Sequence, residues 1–458
     1  QGRLREAADL YRRVLAGNDR LVAAHFGLGV TLRQQGDLTG AIAAHRRALA
    51  LDERFVPAHY GLGLALFQQG DAAGAVAAYE RAIALSPATP TLAPTYYNLG
   101  LAEEARNNLP AALRALRQAI ALDPAYGPAR LGLGAILRRQ GDLAGAEAAY
   151  QEALRRNANA AEAQLGLGIV FYETKRYPQA IAAYQEALRL NPQLPFARYN
   201  LGLAQAAANQ PAAAIATYQL ALTETTDPLR QAEIWTALGD VHLQQQNLER
   251  AAQDFQKSLE LNPQSLRARN GLGLTRRRQG RLEDAIALYR EAIRLDARYL
   301  AAHNNLGRAL ADANRPDEAI AAFRQAIALD PQNALAHSNL GNLLRAQGQI
   351  EAAIVALRQA VALNHSEPWV DRTHLGLALT EQGNYREARE SFQQALNLRP
   401  NYGQAHFGLG SLYALQGDTA RALVAYREAL RLFQLENDTA WIGRTQQTLQ
   451  ALTAATRS

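Results

Sequence analysis

Small, large apolar and polar positions return along this chain at one fixed interval. The triplet Gly-Leu-Gly stands at Gly27–Gly29, Gly61–Gly63, Gly132–Gly134, Gly166–Gly168, Gly271–Gly273 and Gly408–Gly410. Following its second glycine gives a ladder: Gly29, Gly63, Gly100, Gly134, Gly168, Gly202, Gly239, Gly273, Gly307, Gly341, Gly376 and Gly410. Eight of the eleven steps are 34 residues, two are 37 and one is 35. Twelve residues after each ladder glycine comes an alanine, from Ala41 to Ala422. Four residues further an aromatic is usual, as at Tyr79, Tyr150, Tyr184, Phe255, Tyr289, Phe323 and Phe392. The chain between is rich in Ala, Leu, Arg, Gln and Glu, which favour helix. Seven units carry a turn glycine (Gly36, Gly70, Gly141, Gly280, Gly348, Gly383, Gly417), suited to the left-handed residue that ends a helix. Prolines such as Pro124, Pro192, Pro263 and Pro331 stop a second helix from continuing. Each unit is therefore predicted to be a pair of helices. Small residues mark where neighbouring helices come closest, and the aromatic fills the space between one pair and the next.

A period of 34 with this pattern resembles the tetratricopeptide repeat family. The resemblance covers roughly residues 1–434. It implies an all-α fold, a right-handed superhelical solenoid whose concave face is lined by the first helix of each pair. Twelve repeats are expected within 22–434, starting near 22, 56, 93, 127, 161, 195, 232, 266, 300, 334, 369 and 403. Residues 1–21 read as a half repeat, its second helix only, and 435–458 as a capping or docking helix. Extra residues at 88–92, 225–229 and near His365–Glu367 read as loops, because Pro90, Pro94, Pro228 and Pro368 oppose helix continuation. They are read as changes of pitch within one solenoid, not as domain boundaries.

The two ends are complementary in kind. Leu4, Leu10, Tyr11 and Val14 at the start lack a first helix, while Trp441, Ile442, Leu449 and Leu452 lie on a first helix without a second. Either the array continues upstream and the last helix is a cap, or chains join head to tail, a heterologous contact that builds a filament.

Composition narrows the chemistry. The formal charge is +6, a mild excess for 458 residues, and it argues against nucleic acid as the partner. Only Lys175 and Lys257 are lysines, so the positive charge is nearly all guanidinium, which pairs with carboxylates bidentately. The chain has no Cys, which excludes disulfides and thiolate chemistry, and no Met, so Gln1 is read as not a translation start. Codon bias or a processed sequence accounts for the double absence, and so does an oxidising setting outside the cell. The compartment stays open between cytoplasmic and exported, for a soluble chain with no apolar run long enough to span a membrane. Two acceptor-like triplets, Asn364-His365-Ser366 and Asn437-Asp438-Thr439, matter only for an exported protein.

No catalytic or metal constellation stands out, and no cofactor is expected. The Gly-Leu-Gly triplets lie inside helices and recur with the period, unlike a nucleotide loop. Five histidines (His25, His59, His303, His337, His406) share one repeat position on different units, where a broad, partly buried side chain is wanted. Arg138, Arg139, Arg277 and Arg278 fall where first helices reach the concave face and are read as contacts for an acidic peptide, or as surface charge paired with glutamates.

Repeat position 5, a family groove position, reads Phe26, Tyr60, Tyr97, Leu131, Leu165 and Tyr199, then Thr236, Asn270, Asn304, Ser338 and Thr373, and finally Phe407. Position 6 holds Asn98, Asn200, Asn305 and Asn339. These resemble, in part, the asparagine ladder by which the O-linked N-acetylglucosamine transferase superhelix holds extended peptide backbone. The lysine-centred carboxylate clamp of chaperone-linked members is absent. The expected function is a non-catalytic scaffold that binds a protein segment, peptide or helix in its groove. The alternatives are a self-assembling filament subunit and the regulatory arm of a larger enzyme.

Overall fold

The computed structural model describes residues 2–157, 159–363 and 367–455. Among them are 26 α-helices, one short 3₁₀ turn at Pro90–Leu92 and no strand. The fold is an α-solenoid of helix-turn-helix repeats. First helices begin at Val22, Val56, Ala93, Gly127, Ala161, Ala197, Pro228, Leu266, Leu300, Ala334, Pro368 and Gly403. Each lies within about one turn of its predicted start.

The chain divides into two compact units, Gln1–Glu224 and Thr225–Ser458, at the second of the three insertions. Thr225, Thr226 and Asp227 leave the helical path there. The carboxylate of Asp227 then accepts the Leu229 N–H at 3.1 Å and caps the helix Pro228–Gln244. Pro228 thus opens a helix rather than blocking one, because a first-turn proline gives up an N–H that would be unpaired anyway. The first insertion holds the 3₁₀ turn. Asn364, His365 and Ser366 lie outside the described residues, as does the acceptor-like triplet they form. Each unit holds six helix pairs. Helix Gly2–Gly17 precedes the first six, and helix Thr439–Ala455 follows the last six.

Within a repeat, the glycines answer to rings. A Cβ built on Gly134 would lie 2.7 Å from the Tyr150 ring, and one on Gly166 would lie 2.4 Å from the same ring. Phe255 stands in the same way between Gly239 and Gly271, and Phe392 between Gly376 and Gly408. In Gly-Leu-Gly, then, the second glycine receives the aromatic of its own repeat and the first receives that of the repeat before. The close approach is ring to backbone rather than helix to helix. Leu116 and Leu357 fill the ring position in two units, and His45 fills it in the first full repeat, against Gly29 and Gly61.

The seven turn glycines all take positive φ, between 74° and 94°. In the other five repeats Asn107, Lys175, Asn209, Gln246 and Asn314 hold the same conformation, with φ from 57° to 60°. Asparagine tolerates it, but lysine and glutamine are strained there by about 1–2 kcal/mol. Lys175→Gly and Gln246→Gly should each raise stability by about 0.5–1 kcal/mol, the relieved strain partly offset by the freer unfolded chain. Urea unfolding would read this as a higher midpoint, and an unchanged or lower midpoint at both sites would refute it.

Candidate peptide groove

Position 5 does not stand open as the sequence suggested. Phe26, Tyr60, Tyr97, Leu131, Leu165 and Tyr199 are half-buried, and each aromatic leans on another ring. Tyr60 lies 6.1 Å from Tyr79, Tyr97 5.7 Å from Tyr126, Tyr199 6.0 Å from Tyr218, and Phe26 5.7 Å from Phe55. One edge of each packs on the core and the other remains accessible. Burial raises the Tyr60 and Tyr97 pKa values above the ordinary tyrosine range, so both stay neutral hydroxyl donors. Phe407 must be removed from the set. It is buried, with its ring 5.1 Å from both Tyr426 and Trp441. The last helix covers it.

In the unit 225–458, Thr236, Asn304, Ser338 and Thr373 are buried and Asn270 is half-buried. Position 6 reaches back one repeat: the Asn98 amide donates to the Tyr60 hydroxyl at 3.0 Å, and the Asn305 amide to the Asn270 side-chain oxygen at 2.9 Å. Asn304 and Asn339 occupy the equivalent pair one step further on, yet Asn304 Oδ1 and Asn339 Nδ2 are buried without a partner. Asn200 is half-buried, one repeat beyond Leu165, which offers it no polar atom.

The arginines are largely committed. Arg138 pairs with Glu173 at 2.7 Å, Arg139 with Glu104 at 3.3 Å and Arg277 with Asp312 at 2.6 Å. Arg345 adds a further rung with Glu381 at 2.6 Å. Each joins one repeat to the next, so charge read as free for an anion is mostly neutralised inside the array. Arg278 instead reaches the Leu243 carbonyl and the Gln246 side chain, at 3.3 and 3.4 Å.

Sequence reasoning missed Phe196. It stands at repeat position 2, is 54% exposed and takes φ 64°, a conformation that strains a bulky residue. The signal was the Leu194-Pro195-Phe196 run, which displaces the helix start to Ala197. The shared histidine position also proves more specific than breadth. His25, His59, His303, His337 and His406 each bond through Nε2 to the carbonyl six residues before, at 2.8–3.2 Å. Arg269 does the same to Pro263 at 2.8 Å. The position wants a donor that ties the loop between repeats to the next first helix.

At the C-terminal end, the apolar residues read as an intermolecular joint have partners in their own chain. Trp441 stacks on Phe433, with centroids 5.1 Å apart and planes at 18°. Ile442, Leu449 and Leu452 pack on the same cluster, so helix Thr439–Ala455 caps its own last repeat. Tyr11 lies against Gly27 and Leu4 is half-buried, while Leu10 and Val14 are 58% and 42% exposed.

The tetratricopeptide repeat family model matches residues 97–160, 137–195, 236–299, 304–368 and 374–436. The chain belongs to the tetratricopeptide repeat family. Further repeat models of the same family match 31–70, 56–125 and 195–219. Comparison with curated proteins gives no match. Among solved structures, the chain is similar to the APC/C hetero-tetramer Cut9–Hcn1, with 17% identity and TM-score 0.46 over 97% of this chain and 94% of that one. It is similar to the human IFIT1 dimer with PPP-AAAA, at 17% identity and TM-score 0.45 over 93% and 94%. It is also similar to YrrB, described as a tetratricopeptide protein with an unusual peptide-binding site, at 21% identity and TM-score 0.36 over 42% and 98%. No described helix is long and apolar enough to cross a membrane. The repeats make the chain a protein-interaction scaffold.

Proposed function

We propose that this scaffold captures an extended segment of a partner protein along its first-helix faces. In the unit 1–224 the ligand's apolar side chains lie on the accessible edges of Tyr60, Tyr97 and Tyr199, with Phe26, Leu131 and Leu165 extending the surface. The unit 225–458, taken by itself, offers its asparagines to the backbone of such a segment. The observation that carries this reading is the repeat-to-repeat bonding of Asn98 to Tyr60 and Asn305 to Asn270. Polar groups that fix one another before a ligand arrives lower the ordering cost of binding. Half-buried aromatic edges beside them favour a hydrophobic partner segment.

The test is selection of ligands from a displayed random-peptide library on the intact chain. Peptides selected by the wild type should bind at least about tenfold more weakly to Tyr60→Ala/Tyr97→Ala/Tyr199→Ala, a loss of about 1.4 kcal/mol or more. Circular dichroism would confirm that the variant stays folded. A variant that binds the selected peptides as tightly as the wild type overturns the tyrosine surface, and a library that yields no ligand overturns peptide capture.

A further inference from the structure

In the unit 225–458 three guanidinium groups gather on two successive first helices, with one carboxylate paired among them. Arg277 is the one that carboxylate, Asp312, serves. Arg278, beside it, finds only neutral acceptors, a carbonyl and a glutamine side chain. Arg308 is exposed on the following first helix, Leu300–Asp312, and makes neither a hydrogen bond nor an ion pair among the described residues. Desolvation, and then the nearby charge of Arg277, holds Arg308 below the ordinary guanidinium range. Arg308 lies one helical turn before Asp312, the residue that pairs with Arg277, so the three groups share one stretch of the first-helix face. Arg277 Nε is buried without a partner. Asn304, one turn before Arg308 on the same helix, is only 7% exposed, and its Oδ1 is buried without a partner.

The contrast with the rest of the groove is informative. Arg138 and Arg345 each have a glutamate on the next repeat. Here the cationic excess is left over, with one carboxylate serving three guanidinium groups. Guanidinium forks take carboxylates bidentately, and such charge-assisted bonds are roughly twice as strong as neutral ones.

We propose that Arg277, Arg278 and Arg308 anchor an acidic side chain of the bound segment, so the partner's peptide carries a carboxylate at this register. This rests on the groove being a peptide site, and it adds the partner's charge. A nucleic acid would need many phosphate contacts in succession, whereas the unneutralised cations here form one local cluster.

The test uses the intact chain and three fluorescein-labelled probes: the decapeptide of alternating glutamate and alanine, its glutamine counterpart, and a ten-nucleotide oligoadenylate. Anisotropy should give the glutamate peptide about tenfold tighter binding than the glutamine peptide, weakening severalfold as salt rises from about 50 to about 200 mM. Arg308→Ala and Arg278→Ala should each remove most of that preference, while Arg386→Ala, on an exposed second helix, should leave it intact. Equal binding of the two peptides, no binding of the glutamate peptide, preference for the oligoadenylate, or insensitivity to Arg308→Ala each overturns the proposal. Library peptides that lose affinity with Asn305→Ala but lack acidic residues would leave peptide capture standing and this anchor refuted. A library with no ligands at all would refute both.

Discussion

Phe255→Ala is expected to destabilise the unit 225–458 by about 3–5 kcal/mol. Phe255 is fully buried, and its ring lies within van der Waals reach of Gly239 and Gly271 on two successive first helices. Alanine would leave a cavity whose nearest walls are glycine backbone, with no side chain to swing into it. The cost of a large-to-small change grows with the space that cannot collapse, and these walls are held by the helices themselves. Leu243, Leu272 and Ala268 complete the cluster and would lose contacts on one side. Phe255→Leu should cost much less, about 1–1.5 kcal/mol, because Leu116 and Leu357 fill the same slot in other repeats. Repeat arrays need not unfold in one step, so the measurement is hydrogen exchange read helix by helix, beside urea unfolding. The loss should centre on Leu248–Leu261 and Leu266–Arg278. A cost under about 1 kcal/mol would mean that the neighbouring leucines repack.

The same slot shows what a sequence can and cannot say. Period, helix starts and turns were legible because each rests on local chemistry: a glycine at positive φ, a proline at a helix start, an alanine under a neighbouring helix. The purpose of the first glycine of each triplet was not, since its partner ring lies on the preceding repeat. Nor was the commitment of Arg138, Arg139 and Arg277, whose acids sit about one repeat away, a step in sequence that only stacking makes short. Burial of Phe407 under Trp441 is likewise a matter of how the last helix lies. The division at Thr225 falls on three residues within a stretch the sequence marked as an insertion. The change from aromatic to polar groove residues after Tyr199 was visible in the sequence, and it coincides with that division.

Lowering the pH from 7 to 5 should cost the unit 1–224 about 2 kcal/mol through His45 alone. Where most repeats place a phenol or phenyl ring, this repeat holds an imidazole. It is wholly buried between Gly29 and Gly61, with its centroid 5.7 Å from the Phe26 ring, and neither ring nitrogen has a partner. Burial, with the charge of Arg33 second, pulls its pKa from 6.5 down to about 4. A group whose folded pKa is depressed below its unfolded value binds its proton better when unfolded. For a base this means the contribution is intact above about pH 6.5 and is lost as pH falls toward 4, about 3 kcal/mol in all. His45→Tyr restores the ring used at Tyr79 and Tyr150 and cannot take up that proton. It should match the wild type at pH 7 and exceed it by about 2 kcal/mol at pH 5, with the difference centred on helices Val22–Gln35 and Leu38–Leu51. His374, in the other unit, also has its pKa lowered to about 4 by burial and then Arg345, with Nδ1 unpartnered. His374→Asn therefore separates that unit's response from this one. Urea unfolding of both variants between pH 7 and 5 decides the matter. Parallel pH profiles for the wild type and His45→Tyr would mean that the buried imidazole finds a proton acceptor or water on charging, and that it is not what makes these repeats acid-sensitive.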